Sequence, residues 1–271
     1  MRDARMNAIV FLGGGRITAA LVAGLRDSAS KGRTGDRIVV HDRNPEKLRE
    51  LRRRHGVRAE PSLRRAVQQA GLLLVAVRPQ DVLPLLAHLE KLPARSVCVS
   101  LAAGVTLKML RRSTGSRVRW TRAMPSPACR SGRGLTALVF DRDVPRVAKQ
   151  RVRRLFGRVG KVLEIPERQF DAFTVAYSTS QGYHALAARM RAARRLGLSA
   201  RTAFLAAAHG LAEGVRALEQ NPAALGALLA EAATPGGIAA QVTRAMRAGG
   251  YERIVERAYR AGVQRARRVA R

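Results

Sequence analysis

The sequence predicts an α/β fold, a doubly wound parallel sheet followed by an all-α C-terminal half. Three observations carry this. Short apolar runs of buried-strand character alternate with helical patterns at the spacing of strand–helix–strand units. The first such run meets Gly13-Gly14-Gly15 and then a helix. From about Phe170 onward alanine, leucine and arginine dominate and β-branched runs become few, so the remainder reads as helical.

Each element follows in order. Ala8 to Leu12 (AIVFL) is the first strand, and Ile17, Ala20, Leu21, Gly24 and Leu25 then recur at helical spacing. A polar stretch with Gly32 and Gly35 leads to the strand Ile38-Val39-Val40. Glu46 to Arg54 suits a helix, with Asn44 to cap it and Pro45 in its first turn. Val57 reads as a short extended piece and Ser62 to Gln69 as a helix. Leu72 to Val77 is a third buried strand, Val82 to Leu89 a helix, and Ser96 to Leu101 a fourth strand. Arg117 to Trp120 and Leu135 to Phe140 read as further strands, and Val144 to Gly157 as a helix. Lys161 to Ile165 closes the first half as a strand. The boundary falls near Pro166, giving domains over 1–165 and 166–271.

The composition narrows the function classes. At 271 residues and 46% hydrophobic, the chain builds a real core and is not disordered. Cys98 and Cys129 are too few for a disulfide scaffold, so a reducing cytoplasm is the expected compartment. No uninterrupted apolar run reaches the length of a membrane span, and Met1 to Val10 lacks the pattern of a secretion signal. The formal charge is +32, and outside Lys31, Lys47, Lys91, Lys108, Lys149 and Lys161 every basic side chain counted is arginine. Such a field attracts nucleic acid. Yet the arginines run through nearly every segment, aromatics are 4%, and no helix-turn-helix, zinc finger or aromatic-studded basic strand is present. Nucleic acid is therefore not the expected partner. His41, His55, His88, His184 and His209 do not fall at ligand spacings, and no HExxH, paired CxxC or GxSxG occurs, so no metal or serine nucleophile is expected.

The glycine loop carries the chemistry. Gly13 allows a tight turn, Gly15 lets backbone amides approach a pyrophosphate, and the N-terminus of the following helix favours its negative charge. Thr18 holds the fingerprint's third position, where glycine or alanine is usual. This is the pattern of a Rossmann-type dinucleotide site. At the end of the second strand, Asp42 suits a ribose 2′-hydroxyl and hence NAD, whereas Arg43 suits a 2′-phosphate and hence NADP. The residues alone leave both open.

Seven motifs in order resemble the pyrroline-5-carboxylate reductase family: AIVFLGGGRITAALVAGL, HDRNPEKL, VAVRPQDV, SLAAGVT, RAMPSP with GLTAL, DAFTVAYSTSQGYHAL, and TPGG. The resemblance implies an N-terminal NAD(P) domain and a helical domain that intertwines with a second subunit as a dimer or larger homo-oligomer. It also implies hydride transfer to the C=N carbon of a cyclic imine acid, the last step of proline biosynthesis. By the same resemblance, Gly13, Gly15, Arg16 and Ile17 line the pyrophosphate, and Val77, Arg78 and Pro79 border the cofactor. Met124 and Pro125 meet the nicotinamide end. Thr234, Pro235, Gly236 and Gly237 hold the substrate carboxylate through backbone amides, and Thr179 keeps a hydroxyl in the interdomain motif. Hydride transfer is mainly a matter of orientation and asks for no nucleophile or metal, so no catalytic residue is assigned.

The departures from the family pattern fall at the substrate end. Tyr177 stands where the family has a small serine, Ser178, Ser180 and Gln181 replace its two glycines and proline, and Ile238-Ala239 replace two threonines. The family's Asn-Thr-Pro becomes Ser126-Pro127-Ala128, and the stretch from Pro222 to Thr234 is longer. Two alternatives stay open on that account: a reductase for another imine or a keto acid, and a non-catalytic nucleotide-binding paralogue.

Overall fold

Strand β1 (Ala8–Leu12) is buried along its whole length and pairs in parallel with β2 (Ile38–His41) on one side and β4 (Ala70–Val75) on the other. A strand covered on both faces has no polar side to present, which is why AIVFL and AGLLLV read as continuous apolar runs. The computed structural model describes residues 8–30, 37–89, 92, 97–115, 118–219, 225–231 and 234–269. The leader reading of the first residues, Gly32 and Gly35, Ser96, Arg117 and Pro222 lie outside the described residues.

The sheet has eight strands in the order β3-β2-β1-β4-β5-β6-β7-β8. Here β3 is Arg58–Ala59, β5 Val97–Ser100, β6 Arg119–Met124, β7 Gly134–Phe140 and β8 Gly160–Glu164. Every pair is parallel except β6 with β7. Helices cover both faces: α1 (Arg16–Ser30), α2 (Pro45–His55), α3 (Leu63–Gln68), α4 (Pro79–Ala87), α5 (Leu107–Thr114) and α6 (Arg146–Gly157). Alternate strand residues feed two separate cores, as a two-residue period demands. Phe11, Leu72 and Leu74 join one with Leu21 and Phe156, while Val10, Leu73 and Val75 join the other with Trp120 and Phe170.

The predicted doubly wound sheet and helical second half are both present, with local differences. Val57 is buried, and the short strand pairing forms from the next residue, over Arg58–Ala59. Strand β4 ends at Val75, which leaves Val77 in the loop beyond it, and Pro79 opens α4, where its missing N–H costs nothing. Helix α5 lies outside the elements that the sequence pattern predicts, although Thr106 caps it by accepting from the Met109 amide at 3.2 Å. Asn44 caps α2 as expected, and Gly56 closes it in the left-handed region. The two cysteines are buried, which pushes the Cys98 thiol up to about 12 and that of Cys129 to about 11.

The chain divides into two compact units, Met1–Tyr177 with Gly262–Arg271, and Ser178–Ala261. The first holds the sheet and α7 (Glu167–Ala176), whose Phe170 is fully buried. The second holds α8 (Thr179–Arg195), α9 (Ala200–Glu219), α10 (Leu225–Glu231), α11 (Ile238–Ala248) and the start of α12 (Tyr251–Val269), with α8 packed on α9. Among its described residues only Ala203 and Ala207 are buried hydrophobics. No helix of the described residues is long and apolar enough to cross a membrane.

Candidate functional site

The order of the sheet reverses between β1 and β4, because the chain winds outward from β1 in one direction and from β4 in the other. At such a switch point the carboxyl ends of the strands part and leave a crevice. A cleft of about 920 Å³ opens there.

Its floor is the loop after β1. Gly13 has φ +108°, and a Cβ at this position would lie 2.7 Å from the carbonyl oxygen of Ala76, so only glycine fits between β1 and the end of β4. Its amide donates to the carbonyl of His41 at 2.7 Å, tying the loop to β2. Thr18 is fully buried and its hydroxyl donates to the Gly13 carbonyl at 2.6 Å. This accounts for the departure at the third fingerprint position: the hydroxyl closes the turn from inside the helix. A Cβ on Gly15, by contrast, would meet nothing within 4 Å. The first-turn amides of α1 have no intrahelical partner and abut that open space.

Asp42 is engaged from both sides. One carboxylate oxygen accepts from the Gly14 amide at 2.7 Å, with the Lys47 ammonium 3.8 Å away, and the other accepts from the Asn44 amide at 2.8 Å. Beyond it, the exposed Arg43 and Lys47 stand in the cleft wall, with Arg16 and Arg78 on the other sides. Asp42 and Asp81 are the acids of that wall, so basic groups outnumber acidic ones. The arrangement suits an extended anion: backbone amides at one point, guanidinium and ammonium groups around it.

The structure brings eight of the expected residues into one cleft: Gly13, Gly15, Arg16, Ile17, Asp42, Arg43, Val77 and Arg78. Pro79, Met124 and Pro125 do not line it. Met124 ends β6, and because β1, β4, β5 and β6 are parallel, it stands at the same carboxyl edge of the sheet. Lys47, His41 and His88 also line the cleft and escaped the sequence reading. Lys47 had a signal, one helical turn past Arg43 on a capped helix. His88, at the end of α4, had none.

The β6 end is heavily tied. Arg122 is buried, with its guanidinium 3.3 Å from Glu167, 3.4 Å from Asp171 and 3.9 Å above the Phe170 ring. Burial pulls its pKa down from the ordinary arginine value, opposed by the two carboxylates. Tyr177, at the end of α7, accepts from the Leu135 amide at 2.7 Å and donates to the buried Ser126 hydroxyl at 2.9 Å.

In the second unit, Thr179 opens α8. Gly236 has φ +77° in the turn before α11, and the Gly237 amide donates to the Thr234 carbonyl at 2.9 Å. Gly237 is therefore committed to shaping the turn, and the open donors are the amides just after it, at the start of α11. Among the described residues, no group of three or more His, Cys, Asp or Glu stands close enough to hold a metal ion.

Comparisons with known proteins bear on both halves. Residues 8–104 match the model described as "NADP oxidoreductase coenzyme F420-dependent", and residues 167–269 match "Pyrroline-5-carboxylate reductase dimerisation". The chain is 35% identical over 185 residues to a pyrroline-5-carboxylate reductase of Mycobacterium tuberculosis, covering 66% of this chain and 61% of that protein. The match thus spans about three fifths of that relative's length. With the pyrroline-5-carboxylate reductase of Corynebacterium melassecola it shares 31% identity over 204 residues, 73% of this chain and 74% of the other. The fold superposes on a pyrroline-5-carboxylate reductase from Coxiella burnetii with TM-score 0.83, 25% identity and coverage of 98% and 99%. On the Plasmodium falciparum pyrroline carboxylate reductase with NADP bound, the TM-score is 0.86 at 17% identity, with 98% of each chain covered.

Proposed function

This chain belongs to the pyrroline-5-carboxylate reductase family, and on that premise we propose that it reduces the C=N bond of a cyclic imine acid, pyrroline-5-carboxylate, at the expense of NADPH. The observation that carries the reading is the glycine loop: a backbone pressed against Ala76 at Gly13, open space at Gly15, and helix-terminal amides facing it. A Cβ at either glycine would strain the turn or fill the cradle, so the residues present fit a dinucleotide.

Bound there, a reduced nicotinamide supplies the hydride. The chain's own residues bind and orient. The amides at Gly15, Arg16 and Ile17 hold the pyrophosphate, and Val77, Arg78 and Pro79 flank the cofactor. Asp42 braces the loop through Gly14 and Asn44, so both its oxygens already serve the protein. Arg43 and Lys47 then present cationic groups to the adenosine ribose, which supports a 2′-phosphate and hence NADP over NAD. Met124 and Pro125 receive the nicotinamide end. The Thr234-Pro235-Gly236-Gly237 turn and the α11 amides take the substrate carboxylate, with Thr179 as a further hydroxyl.

The same reading assigns residues 1–165 to cofactor binding and 166–271 to a helical domain for substrate and dimerisation. Leu196, Val215, Ile238 and Ile254 are more than half exposed in the single chain, which supports burial against a second copy. Reduced, buried cysteines support a cytoplasmic setting. One observation favours a second substrate: Tyr177 and Ile238 replace small or hydroxylated family residues, which supports a different imine or a keto acid.

Purified protein assayed with pyrroline-5-carboxylate is expected to oxidise NADPH faster than NADH. Turnover no better than background with both cofactors sinks the reading. Turnover confined to other imines or keto acids in a substrate panel selects the second reading.

A further inference from the structure

We propose that Tyr177 is a positioning residue, whose phenol acts through Ser126 to hold the Met124–Pro125 corner that the cofactor reading assigns to the nicotinamide end of the dinucleotide. The inference rests on the cofactor reading above and concerns a side chain that the family's small serine at this position cannot replace.

Both hydrogen-bonding roles of the phenol are committed. The Leu135 amide donates to it at 2.7 Å, which directs its own proton to Ser126 Oγ at 2.9 Å. Leu135 lies on β7 and Ser126 follows Pro125, so one hydroxyl bridges the two sides of the connection between β6 and β7. The base of this bridge is firm. Tyr177 closes α7, and α7 is anchored by the buried Phe170 and by Glu167 and Asp171, which grip Arg122 two residues before Met124. Glu167 also accepts from the Leu107 amide at 2.6 Å. The β6 end is therefore held at Arg122 and again at Ser126 by the same helix. A serine at position 177 is too short to reach either partner, and the corner would keep only the first tie. A chain of hydrogen bonds from an amide through a phenol to a hydroxyl is also directional, each bond polarising the next. Reacting atoms misplaced by about 1 Å cost on the order of 100-fold in rate, so fixing this corner controls orientation without touching the pyrophosphate loop.

The test is a double-mutant cycle of Tyr177→Phe and Ser126→Ala in the full-length protein. Tyr177→Phe keeps the ring, whose centroid lies 5.1 Å from that of Phe173 at a tilt of 38°. Each single variant is expected to lower kcat about 5- to 20-fold, less than a full ångström of misplacement would. The Kd for NADPH should stay within about twofold and the melting temperature within a few degrees, while the emission of bound NADPH falls as its nicotinamide loosens. The double variant should be no worse than Tyr177→Phe alone, because Ser126→Ala removes only a bond that Tyr177→Phe already breaks. Unchanged kcat and emission in both singles, or fully additive losses, overturn the proposal. If one variant does not fold, the other is read alone by the same criteria. Should the wild type bind NADPH but reduce no imine, the substrate reading fails while the emission comparison still decides this one. Emission equal in wild type and Tyr177→Phe overturns it, and failure of the wild type to bind NADPH overturns both.

Discussion

The carboxylate of Asp42 is committed before any ligand arrives. Read as a bare motif, an acid at the end of the second strand points to NAD, and Arg43 beside it to NADP. The amides of Gly14 and Asn44 tie both carboxylate oxygens of Asp42 to the protein, while Arg43 and Lys47 line the cleft beside it, which supports the NADP reading. Arg43→Ala is therefore expected to raise the Kd for NADPH about 10-fold while leaving that for NADH nearly unchanged, in line with the loss of one charge-assisted contact. Asp42→Asn should weaken both cofactors together, since it places a donor against an amide in the loop itself. Fluorescence titration with each cofactor separates the two outcomes, and equal losses for Arg43→Ala with NADH and NADPH contradict the assignment. The identity of these residues was legible in the sequence. Their division of labour was not, because it depends on which backbone amides face Asp42 across 28 positions of chain.

At the scale of elements, strands were legible and connections were not. Buried parallel strands must be apolar on both faces, so β1 and β4 stand out in any reading of the chain. The connection from β6 to β7 runs through a 3-10 turn over Pro127–Ser131, and its carbonyl at Cys129 presses into α1. A Cβ on Gly24 would lie 2.0 Å from that oxygen. The helix that follows the phosphate loop is thus packed backbone to backbone against the connection that follows Met124. Gly24→Ala is expected to destabilise the protein by about 2–3 kcal/mol, the range of an overpacked core, despite alanine's better helix propensity. A melting temperature equal to or above that of the wild type refutes this packing. Arginines also act at this scale. Arg26 donates to the carbonyls of His55 and Gly56 where α2 ends, and Arg158 to the Leu25 carbonyl and Ser28 hydroxyl near the end of α1. The Arg26 guanidinium thereby satisfies the His55 carbonyl, which α2 leaves unpaired, whereas Arg158 ties α6 to the last turns of α1.

For the molecule as a whole, the +32 charge bears on how fast anionic ligands are met. Arginines that cap helices, pair with acids or stand in the cleft wall account for part of it without any nucleic acid. Such a field raises the encounter rate of anionic ligands, and added salt screens it over roughly 8–10 Å at physiological ionic strength. The association rate constant for NADPH is expected to fall steeply between about 50 mM and 500 mM salt, with a much smaller change in dissociation rate. Stopped-flow binding across that range checks it, and a salt-independent association rate contradicts it.

The sequence by itself determined the alternation of strands and helices, the glycine loop and the change to helix in the second half. These depend on periodicity and on residues adjacent in the chain, which a linear pattern carries. Tertiary structure decided what Asp42 accepts, why Thr18 is tolerated and what the Tyr177 phenol holds. The first and last turn on distances between groups remote in sequence, set only when the sheet winds outward from its switch point, while the Thr18 contact depends on how the loop from Gly13 folds back on its own helix.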